Sequence, residues 1–318
     1  MPKITYADLH ADSVTECCNR GENLRDFSGQ VSVEKLKKSG CAAQCFALFT
    51  EGEKAAEDFE KFLAFYYAQI AVNPHILPVE RYFDIEKAEK EGKTTAILTV
   101  ENMGFLNGDI YGIARLNKAG VKMASLVWNT PNALAYPNLI FKGDMPDFAA
   151  RESRGLTDLG KQAVKELNAN KIIVDVSHLS DGGVEDVLAL SKAPVVASHS
   201  DCAAVHPVSR NLTDNQIKKI ADGGGVVGLN FCHDFLCNEG ESAIESLYKN
   251  YVHLVKTGGE DVPALGTDFD GIPPYRELPD CTAVQTLFEY FSRRGVSDGA
   301  LEKLARKNFY RVFKEVVG

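Results

Sequence analysis

Eight short runs of β-branched and other apolar residues recur along this chain, and stretches with helical periodicity separate most of them. Apolar runs of strand length that alternate with helices are typical of βα units, which build parallel sheets. Eight is also the number of strands that closes a parallel barrel. The pattern therefore predicts an α/β fold, a single (β/α)8 TIM barrel domain over residues 1–318, with strands at residues 7–11, 42–48, 95–100, 122–127, 172–176, 194–197, 226–230 and 264–267.

The intervening segments carry helix signals and two additions to a minimal barrel. From Phe59 to Ile70 apolar residues recur every three or four positions, which predicts an amphipathic helix. A helix is also predicted from an N-cap at Thr157 to Asn170. Residues 82–93 add a short charged helix, residues 129–155 a long loop after the fourth strand, and residues 298–317 a C-terminal helix. Loops that follow barrel strands usually shape the pocket.

The charge balance limits the possible partners. The 44 acidic residues exceed the 35 basic ones and give a formal net charge of −9, which argues against nucleic acid and anionic membranes and leaves small molecules. The first residues lead into a polar strand rather than an apolar signal segment, and no run of about 18 apolar residues indicates a membrane span. We therefore expect a cytoplasmic protein whose eight cysteines are reduced thiols.

Residues that can bind metals or move protons stand at the ends of several predicted strands. His10 and Asp12 end the first strand, and their side chains share a face because they are two residues apart on an extended chain. Glu101 ends the third strand, where an acid after a buried run needs a cation or water. A His-x-Asp triplet is common by chance, and Glu101 by itself is equally compatible with a solvated strand end.

Two histidines follow successive strands in the same way. His178 closes KIIVDVSH and His199 closes APVVASHS. Either one alone fits a hydrogen-bonded core histidine, but two at the same rim of one barrel favour a metal centre. Asp268 follows the eighth strand in ALGTDFDG, where it could accept a proton from an activated water and return it to a leaving amine.

Five sequence blocks occur in a recognisable order: LHAD, VENMG, VDVSHLS, ASHSDCAAVHPVSRN and LGTDFDGIP. Together with the closing NFYRVFKEVV they resemble the membrane (renal) dipeptidases of the amidohydrolase superfamily, and the resemblance spans nearly the whole chain. Its most specific part runs from SHLS through SHS and SRN to GTDFDG. The resemblance implies a cytoplasmic, microbial-type metallodipeptidase that acts on small dipeptides and forms a homodimer.

The resemblance also implies two Zn²⁺ ions per subunit. His10 and Asp12 would hold one ion, and His178 and His199 would hold the other. Glu101 would bridge them. Two ions that share a carboxylate and a hydroxide would supply a nucleophile at neutral pH and polarise the scissile carbonyl. The same ligand types suit manganese, cobalt or iron as well.

Further residues are implied to contact the substrate. Asp268 would be the proton shuttle, and Arg210 in VSRN would grip the terminal carboxylate with its planar guanidinium. Many members of the family carry a histidine after the fourth strand that contacts the substrate carbonyl, whereas this chain has Trp128 there. We assign Trp128 and the adjacent Asn129 to the pocket wall. His233, which follows the seventh strand, is the candidate to replace the missing histidine.

Three hypotheses about function remain open at this point. The first is a binuclear zinc dipeptidase that cleaves short peptides with a free C-terminal carboxylate through a metal-bridging hydroxide, with tolerance of a D-residue at the C-terminal position undecided. The second is a related amidohydrolase that acts on another small amide or lactone, which Trp128 would favour. The third is a barrel retained for binding alone, and it is disfavoured because five candidate ligands and Asp268 occur together.

Overall fold

The computed structural model describes residues 2–318. Each of the eight predicted runs forms a parallel strand, so the predicted (β/α)8 barrel is confirmed. Boundaries differ by a few residues, and the run at 194–197 contributes only Val196–Ala197. Within the described residues the strands are β1 (Tyr6–Asp8), β2 (Cys41–Phe49), β3 (Ile76–Pro78), β4 (Thr94–Glu101), β5 (Val121–Ser125), β6 (Ile140–Lys142), β7 (Met145–Asp147), β8 (Ile173–Asp175), β9 (Val196–Ala197), β10 (Val226–Leu229) and β11 (Pro263–Leu265).

The barrel strands pair in the order β1-β2-β4-β5-β8-β9-β10-β11. The last strand returns beside the first, where the backbone N–H of Leu9 donates to the carbonyl of Leu265 (2.9 Å). The buried Asp8 carboxylate strengthens this seam, because it accepts from the backbone N–H and the hydroxyl of Thr267 (2.9 and 2.7 Å). Oδ2 of Asp8, which accepts from the Thr267 hydroxyl, also accepts from the Gln44 carboxamide (3.0 Å). The result is a nearly closed parallel barrel.

Three short strands lie outside this circuit, and the sequence pattern did not predict them. Strand β3 pairs in parallel with β4. Strands β6 and β7 form an antiparallel hairpin within the 129–155 loop. The loop reaches the end of the barrel where the predicted metal ligand His178 lies, because the backbone N–H of Asn138 donates to the carbonyl of His178 (2.7 Å).

The helices agree with most of the sequence expectations. The predicted cap at Thr157 is present, since its hydroxyl accepts from the backbone N–H of Gly160 (3.0 Å). Tyr67 departs from the predicted apolar face, because it is 42% exposed and donates its hydroxyl to the carbonyl of Ala119. The α-helices are α1 (Ser13–Arg20), α2 (Val33–Ser39), α3 (Ala55–Val72), α4 (Tyr82–Lys90), α5 (Ile113–Lys118), α6 (Asp158–Ala169), α7 (Asp181–Leu190), α8 (Asp214–Asp222), α9 (His233–Leu236), α10 (Ala243–Gly258), α11 (Val284–Arg293), α12 (Asp298–Glu302) and α13 (Asn308–Val316).

Short irregular helices complete the chain. Three 3-10 turns lie at Met103–Leu106, Ile110–Gly112 and Cys281–Ala283. A π-helical turn at Lys303–Lys307 joins α12 to α13, so the predicted C-terminal helix is one nearly continuous element. Of the helices in residues 2–318, none combines the length and the apolar character that a membrane crossing requires.

The C-terminal helix fills one end of the barrel. Alternating strand residues divide into two apolar clusters, as the two faces of a strand require. The smaller cluster joins strand residues such as Ala7, Cys45 and Ile97 to Phe309 and Phe313 of α13. Polar side chains occupy the other end of the strands. The fold therefore separates an apolar end, closed by α13, from a polar end that carries the strand-terminal residues.

Candidate active site

Five of the six residues proposed for the metal centre and proton transfer lie just after barrel strands, and the sixth is the last residue of one. His10 and Asp12 follow β1, and Glu101 is the final residue of β4. His178, His199 and Asp268 follow β8, β9 and β11. All six side chains belong to residues that are buried. Because parallel strands of a barrel end at one rim, residues far apart in sequence meet there.

The Glu101 carboxylate is the centre of the cluster. Its Oε1 lies 3.0 Å from Nε2 of His178 and 3.5 Å from Nε2 of His199. Its Oε2 lies 3.6 Å from Nε2 of His10. The same His10 nitrogen is 3.3 Å from Oδ2 of Asp12. One carboxylate thus stands between a pair of imidazoles on one side and an imidazole with a carboxylate on the other.

This donor set fits divalent cations. The ligand atoms of His10, Asp12 and Glu101 all lie within 4.8 Å of one another, and so do those of Glu101, His178 and His199. Nε2 of His10 and Oδ1 of Asp12 are buried without a hydrogen-bond partner within residues 2–318. A buried polar atom without a partner is costly, and a cation in contact with both atoms would remove that cost. Imidazole and carboxylate are ligand types that transition metals favour.

A second layer of hydrogen bonds orients two of the imidazoles. The Ser198 hydroxyl donates to the Asp175 carboxylate and lies 2.7 Å from Nδ1 of His199. Because that hydroxyl hydrogen is already used, Nδ1 of His199 carries the proton and donates it to the Ser198 oxygen. Nδ1 of His178 likewise faces the carboxamide oxygen of Asn129 (3.0 Å). Both rings therefore present an unprotonated Nε2 toward Glu101, which is the form that binds metals.

Backbone conformation contributes to the site geometry. His178 and Asp268 have φ angles of 69° and 63°, in the left-handed region that side chains other than glycine rarely adopt. Long-range hydrogen bonds hold both residues in place: the backbone N–H of Asp268 donates to the carbonyl of His10 (3.1 Å), and the Asn138 N–H binds the His178 carbonyl. Such conformations recur at functional sites, where the surrounding structure offsets their cost.

The electrostatics indicate a cluster that attracts positive charge. Burial alone would lower the pKa of His10, but the carboxylates of Glu101 and Asp12 raise it well above its ordinary value. Burial, and then the Arg210 guanidinium, lower the pKa of His178 to about 4, so this ring stays neutral at physiological pH. Burial raises the pKa of Asp268 to about 7. A carboxyl that titrates near neutrality is suited to giving and taking protons.

A cavity of about 410 Å³ opens onto the cluster. The ring of Phe49 packs edge-to-face on Trp128, with centroids 4.8 Å apart, and forms an aromatic wall. The side facing helix α1 is polar. The lining residues are Asp12, Thr15, Glu16, Asn19, Phe49, Glu101, Trp128, Asn129, His178, Cys232, Phe235, Asp268, Asp270, Gly271, Ile272 and Pro273.

The sequence profile of the membrane dipeptidases, peptidase family M19, matches residues 1–317. The chain belongs to the membrane dipeptidase family. Its fold is similar to the crystal structure of dipeptidase AC, a metallopeptidase of family M19, with a TM-score of 0.92 at 26% identity over 99% of both chains. It is also similar to a Rhodobacter sphaeroides metallopeptidase solved with a phosphinate mimic of the dipeptide L-Ala-D-Ala, with a TM-score of 0.89 at 26% identity over 99% of both chains.

One relative was found by sequence comparison and covers most of this chain. An uncharacterized protein in the pqqA 5′ region of Klebsiella pneumoniae is 34% identical over 238 residues, which cover 73% of this chain and 86% of that protein. The family membership confirms the resemblance drawn from the sequence blocks. It also makes the chain a metal-dependent hydrolase of the dipeptidase type rather than a barrel retained for binding alone.

Three predicted substrate residues lie in or beside the cavity of this dipeptidase-family chain. Trp128 and Asn129 line it. Arg210 does not line it but lies next to the cluster, with Nη2 3.0 Å from Nε2 of His178 and the residue only 2% exposed. The guanidinium also lies 5.3 Å from the ring centroid of Phe235, which does line the cavity. Arg210 is therefore an interior arginine that borders the candidate metal ligands.

His233 is the fourth predicted substrate residue. It is not among the lining residues, although its neighbour Cys232 is. Its ring packs edge-on against Tyr275 at 6.1 Å, and its Nδ1 lies 3.9 Å from the Asp234 carboxylate. His233 is the first residue of helix α9 and directly follows Cys232. The role of His233 as a substitute for the missing family histidine stays a prediction.

Some site residues escaped the sequence reasoning. The carboxylate of Asp270 accepts from the Ser13 hydroxyl and from the backbone N–H groups of Gln30 and Val31, and so fastens the loop after β11 to the rest of the rim. A Cβ on Gly271 would lie 2.3 Å from Oδ2 of Asp12, so only glycine fits there. The block LGTDFDGIP contained both residues, and its second aspartate and its glycine were the available signals.

Proposed function

We propose that this member of the membrane dipeptidase family is a binuclear zinc dipeptidase, and one observation carries the proposal. The two oxygens of Glu101 face different partners: Oε1 faces His178 and His199, whereas Oε2 faces His10 beside Asp12. A carboxylate in that position could bridge two cations, each held by two further side chains. Ligands of nitrogen and oxygen type suit Zn²⁺, although manganese, cobalt or iron would also be accepted.

The proposed reaction assigns each step to a residue of the chain. When bound, two divalent cations would supply a water-derived nucleophile at neutral pH and polarise the scissile carbonyl. Oδ2 of Asp268 is held by the Asn230 carboxamide (3.1 Å), while Oδ1 lies 3.9 Å from Nε2 of His10. Oδ1 is therefore the atom that takes a proton from the attacking water and passes it to the leaving amine.

The substrate is held by groups around the cluster. Arg210 binds the C-terminal carboxylate of the dipeptide, a task suited to a buried guanidinium that remains charged. Trp128 and Asn129 form the wall beside it. An indole offers an N–H donor but no titrating proton, so Trp128 shapes the pocket and does not take part in proton transfer.

A hydrolysis screen of L,L- and L,D-dipeptides, with and without added Zn²⁺, tests this function together with metal analysis of the purified protein. The L,D arm is included because the Rhodobacter sphaeroides relative was solved with a mimic of L-Ala-D-Ala. We expect metal-dependent hydrolysis and about two metal equivalents per chain. Full activity after complete chelation, or saturation at a single equivalent, would contradict the binuclear proposal.

A second candidate is a related amidohydrolase that acts on a different small amide or a lactone, and Trp128 in place of the family histidine favours it. Arg210→Met separates the two candidates. For a dipeptidase KM should rise by about tenfold or more, because a charge-assisted hydrogen bond to the substrate is lost. An enzyme for neutral substrates would change little. Arg25→Met, at a side chain that is 72% exposed, is the matched control.

We also propose that the active form is a cytoplasmic homodimer, as the family resemblance implies. Light scattering of the purified protein tests the assembly, and fractionation of the source cells tests the compartment. The expected mass is twice that of one chain. A fully active monomer would contradict the dimer.

A further inference from the structure

One face of helix α1 forms the polar side of the cavity. Asp12, Thr15, Glu16 and Asn19 all line it, and their spacing of three, one and three residues places them on a single helical face. Thr15 fixes this face against the end of β2. Its hydroxyl donates to the Ala47 carbonyl (3.3 Å) and accepts from the backbone N–H of Phe49. The helix thus presents a rigid wall directly beside the metal ligand Asp12.

The Glu16 carboxylate on this wall has one oxygen to spare. Arg20 contacts it with two nitrogens, and both go to Oε1 at 2.7 Å. Oε2 accepts no hydrogen bond from any residue in the range 2–318. The Glu16 side chain is 35% exposed, so Oε2 can accept a hydrogen bond from a cavity ligand.

The charged groups around the cavity follow a fixed order. Arg210 lies next to His178 (3.0 Å), which contacts Oε1 of Glu101. Oε2 of Glu101 faces His10, which in turn contacts Asp12. Glu16 follows one helical turn further along α1. Arg210 therefore lies at one end of this order and Glu16 at the other, with the candidate metal ligands between them.

A dipeptide is a zwitterion whose polarity matches this order. Its α-ammonium nitrogen is only about 2.5 Å from the scissile carbonyl carbon, so the groups that bind the ammonium must adjoin the metal ligands. No lysine or arginine lines the cavity formed by the described residues. The cationic side chain next to the candidate metal ligands is Arg210, which lies beside His178. With the substrate carboxylate at Arg210, the ammonium points toward His10, Asp12 and the α1 face.

We propose that Glu16 binds the free α-ammonium group of the substrate and that the α1 face of Thr15, Glu16 and Asn19 forms the subsite for its N-terminal residue. The proposal rests on the dipeptidase function proposed above. It makes Glu16 a determinant of specificity for peptides with a free amino group. The scissile bond then lies between Arg210 and Glu16, with the C-terminal residue on the His178 side.

Steady-state kinetics of wild type and Glu16→Gln with L-Ala-L-Ala, beside inhibition by N-acetyl-L-Ala-L-Ala, test the subsite. In Glu16→Gln we expect KM for the free dipeptide to rise about tenfold or more, with kcat within about twofold. The inhibition constant of the acetylated peptide should not change, since it carries no ammonium. Glu22→Gln is the matched control, because it removes the same charge from a residue that does not line the cavity.

A second variant changes the charge in the opposite direction. Arg20→Met removes the side chain that competes for Glu16, and Arg20 is exposed, so folding should be unaffected. KM for the free dipeptide should fall, and the inhibition constant of the acetylated peptide should stay constant. An unchanged KM in Glu16→Gln, or an equal loss of affinity for both peptides, overturns the proposal. If the wild type hydrolyses no dipeptide, the proposed function itself fails, which is a separate result from either of these.

Discussion

Asp268 shows how the environment of a single side chain prepares it for chemistry. Burial is the main cause that raises its pKa to about 7; the positive charge of His10 opposes this shift, and the carboxylates of Asp12 and Glu101 add to it. The Asn230 carboxamide holds one of its oxygens, and that same carboxamide also donates to the His199 carbonyl (3.3 Å). Orientation and acidity are thus set by neighbours from three other strands.

Asp268→Asn should lower kcat by a factor of about 100 or more, the range that general acid–base catalysis contributes. Metal content should remain as in the wild type, because the ligands on either side of Glu101 are untouched. Asp261→Asn, at a side chain that is 69% exposed, is the control and should behave as wild type. A variant of Asp268 that retains full kcat would exclude it from proton transfer.

Metal affinity should fall as the pH is lowered from about 7 to about 5. Burial, followed by the charge of Glu101, raises the pKa of Asp12 to about 6, and the pKa of His10 lies well above its ordinary value. Both groups must be deprotonated to bind a cation, so protons compete with the metal as the pH falls through these values. Titration calorimetry at pH 5, 6 and 7 measures the effect, and an affinity independent of pH would contradict it.

At the scale of elements, the loop after β11 determines the shape of the rim. Asp268 and Asp270 both have positive φ angles, 63° and 67°, so the loop turns sharply twice and brings Gly271 against Asp12 and Asp268. A Cβ on Gly271 would lie 2.3 Å from Oδ2 of Asp12 and 2.7 Å from Oδ1 of Asp268. The loop packs so closely that only a hydrogen fits there.

Gly271→Ala should therefore reduce metal content and activity together, because the added methyl group displaces Asp12 and Asp268 from their positions. Gly299→Ala is the matched control, since a Cβ at Gly299 in helix α12 meets no atom within 4 Å. That control should be neutral or slightly stabilising, as alanine is the better helix former. Metal analysis and steady-state kinetics on both variants compare the two, and a fully active Gly271→Ala protein would show that the rim can relax.

At the scale of the whole molecule, the barrel divides structure and chemistry between its two ends. Helix α13 buries apolar side chains against the inward-facing residues at one end. The other end gathers buried carboxylates and imidazoles; their desolvation and the repulsion between the carboxylates oppose folding, and a bound cation would offset both. Metal binding should therefore be linked to the stability of the barrel.

Chelation should lower the melting temperature by roughly 5–10 °C, since a ligand at about a thousand times its Kd contributes about 4 kcal/mol. Adding Zn²⁺ back should restore it. Glu101→Gln removes the carboxylate between the two ligand groups and should abolish most of this shift. His253→Gln, whose ring pairs with Asp214 and does not line the cavity, should retain it. Scanning calorimetry with and without chelator measures all three proteins.

The order of strands and helices and the identity of the strand-end candidates could be predicted from the sequence. Periodicity is a local property, and a parallel barrel brings every strand end to one rim, so His10, Glu101 and His199 could be expected to meet. The family resemblance supplied Arg210 and agreed with Asp268, which its place after the eighth strand had already indicated. These inferences required only the topology of the chain and the chemistry of its residues.

Only the tertiary structure decided how those residues are oriented. Ser198 and Asn129 set the imidazole tautomers, and Arg210 became an interior side chain. Side-chain direction depends on backbone dihedrals and on packing between segments far apart in sequence, which local patterns do not encode. The sequence by itself thus determined which residues are available to the site. Their contacts were determined by the closure of the barrel and by the loops at its rim.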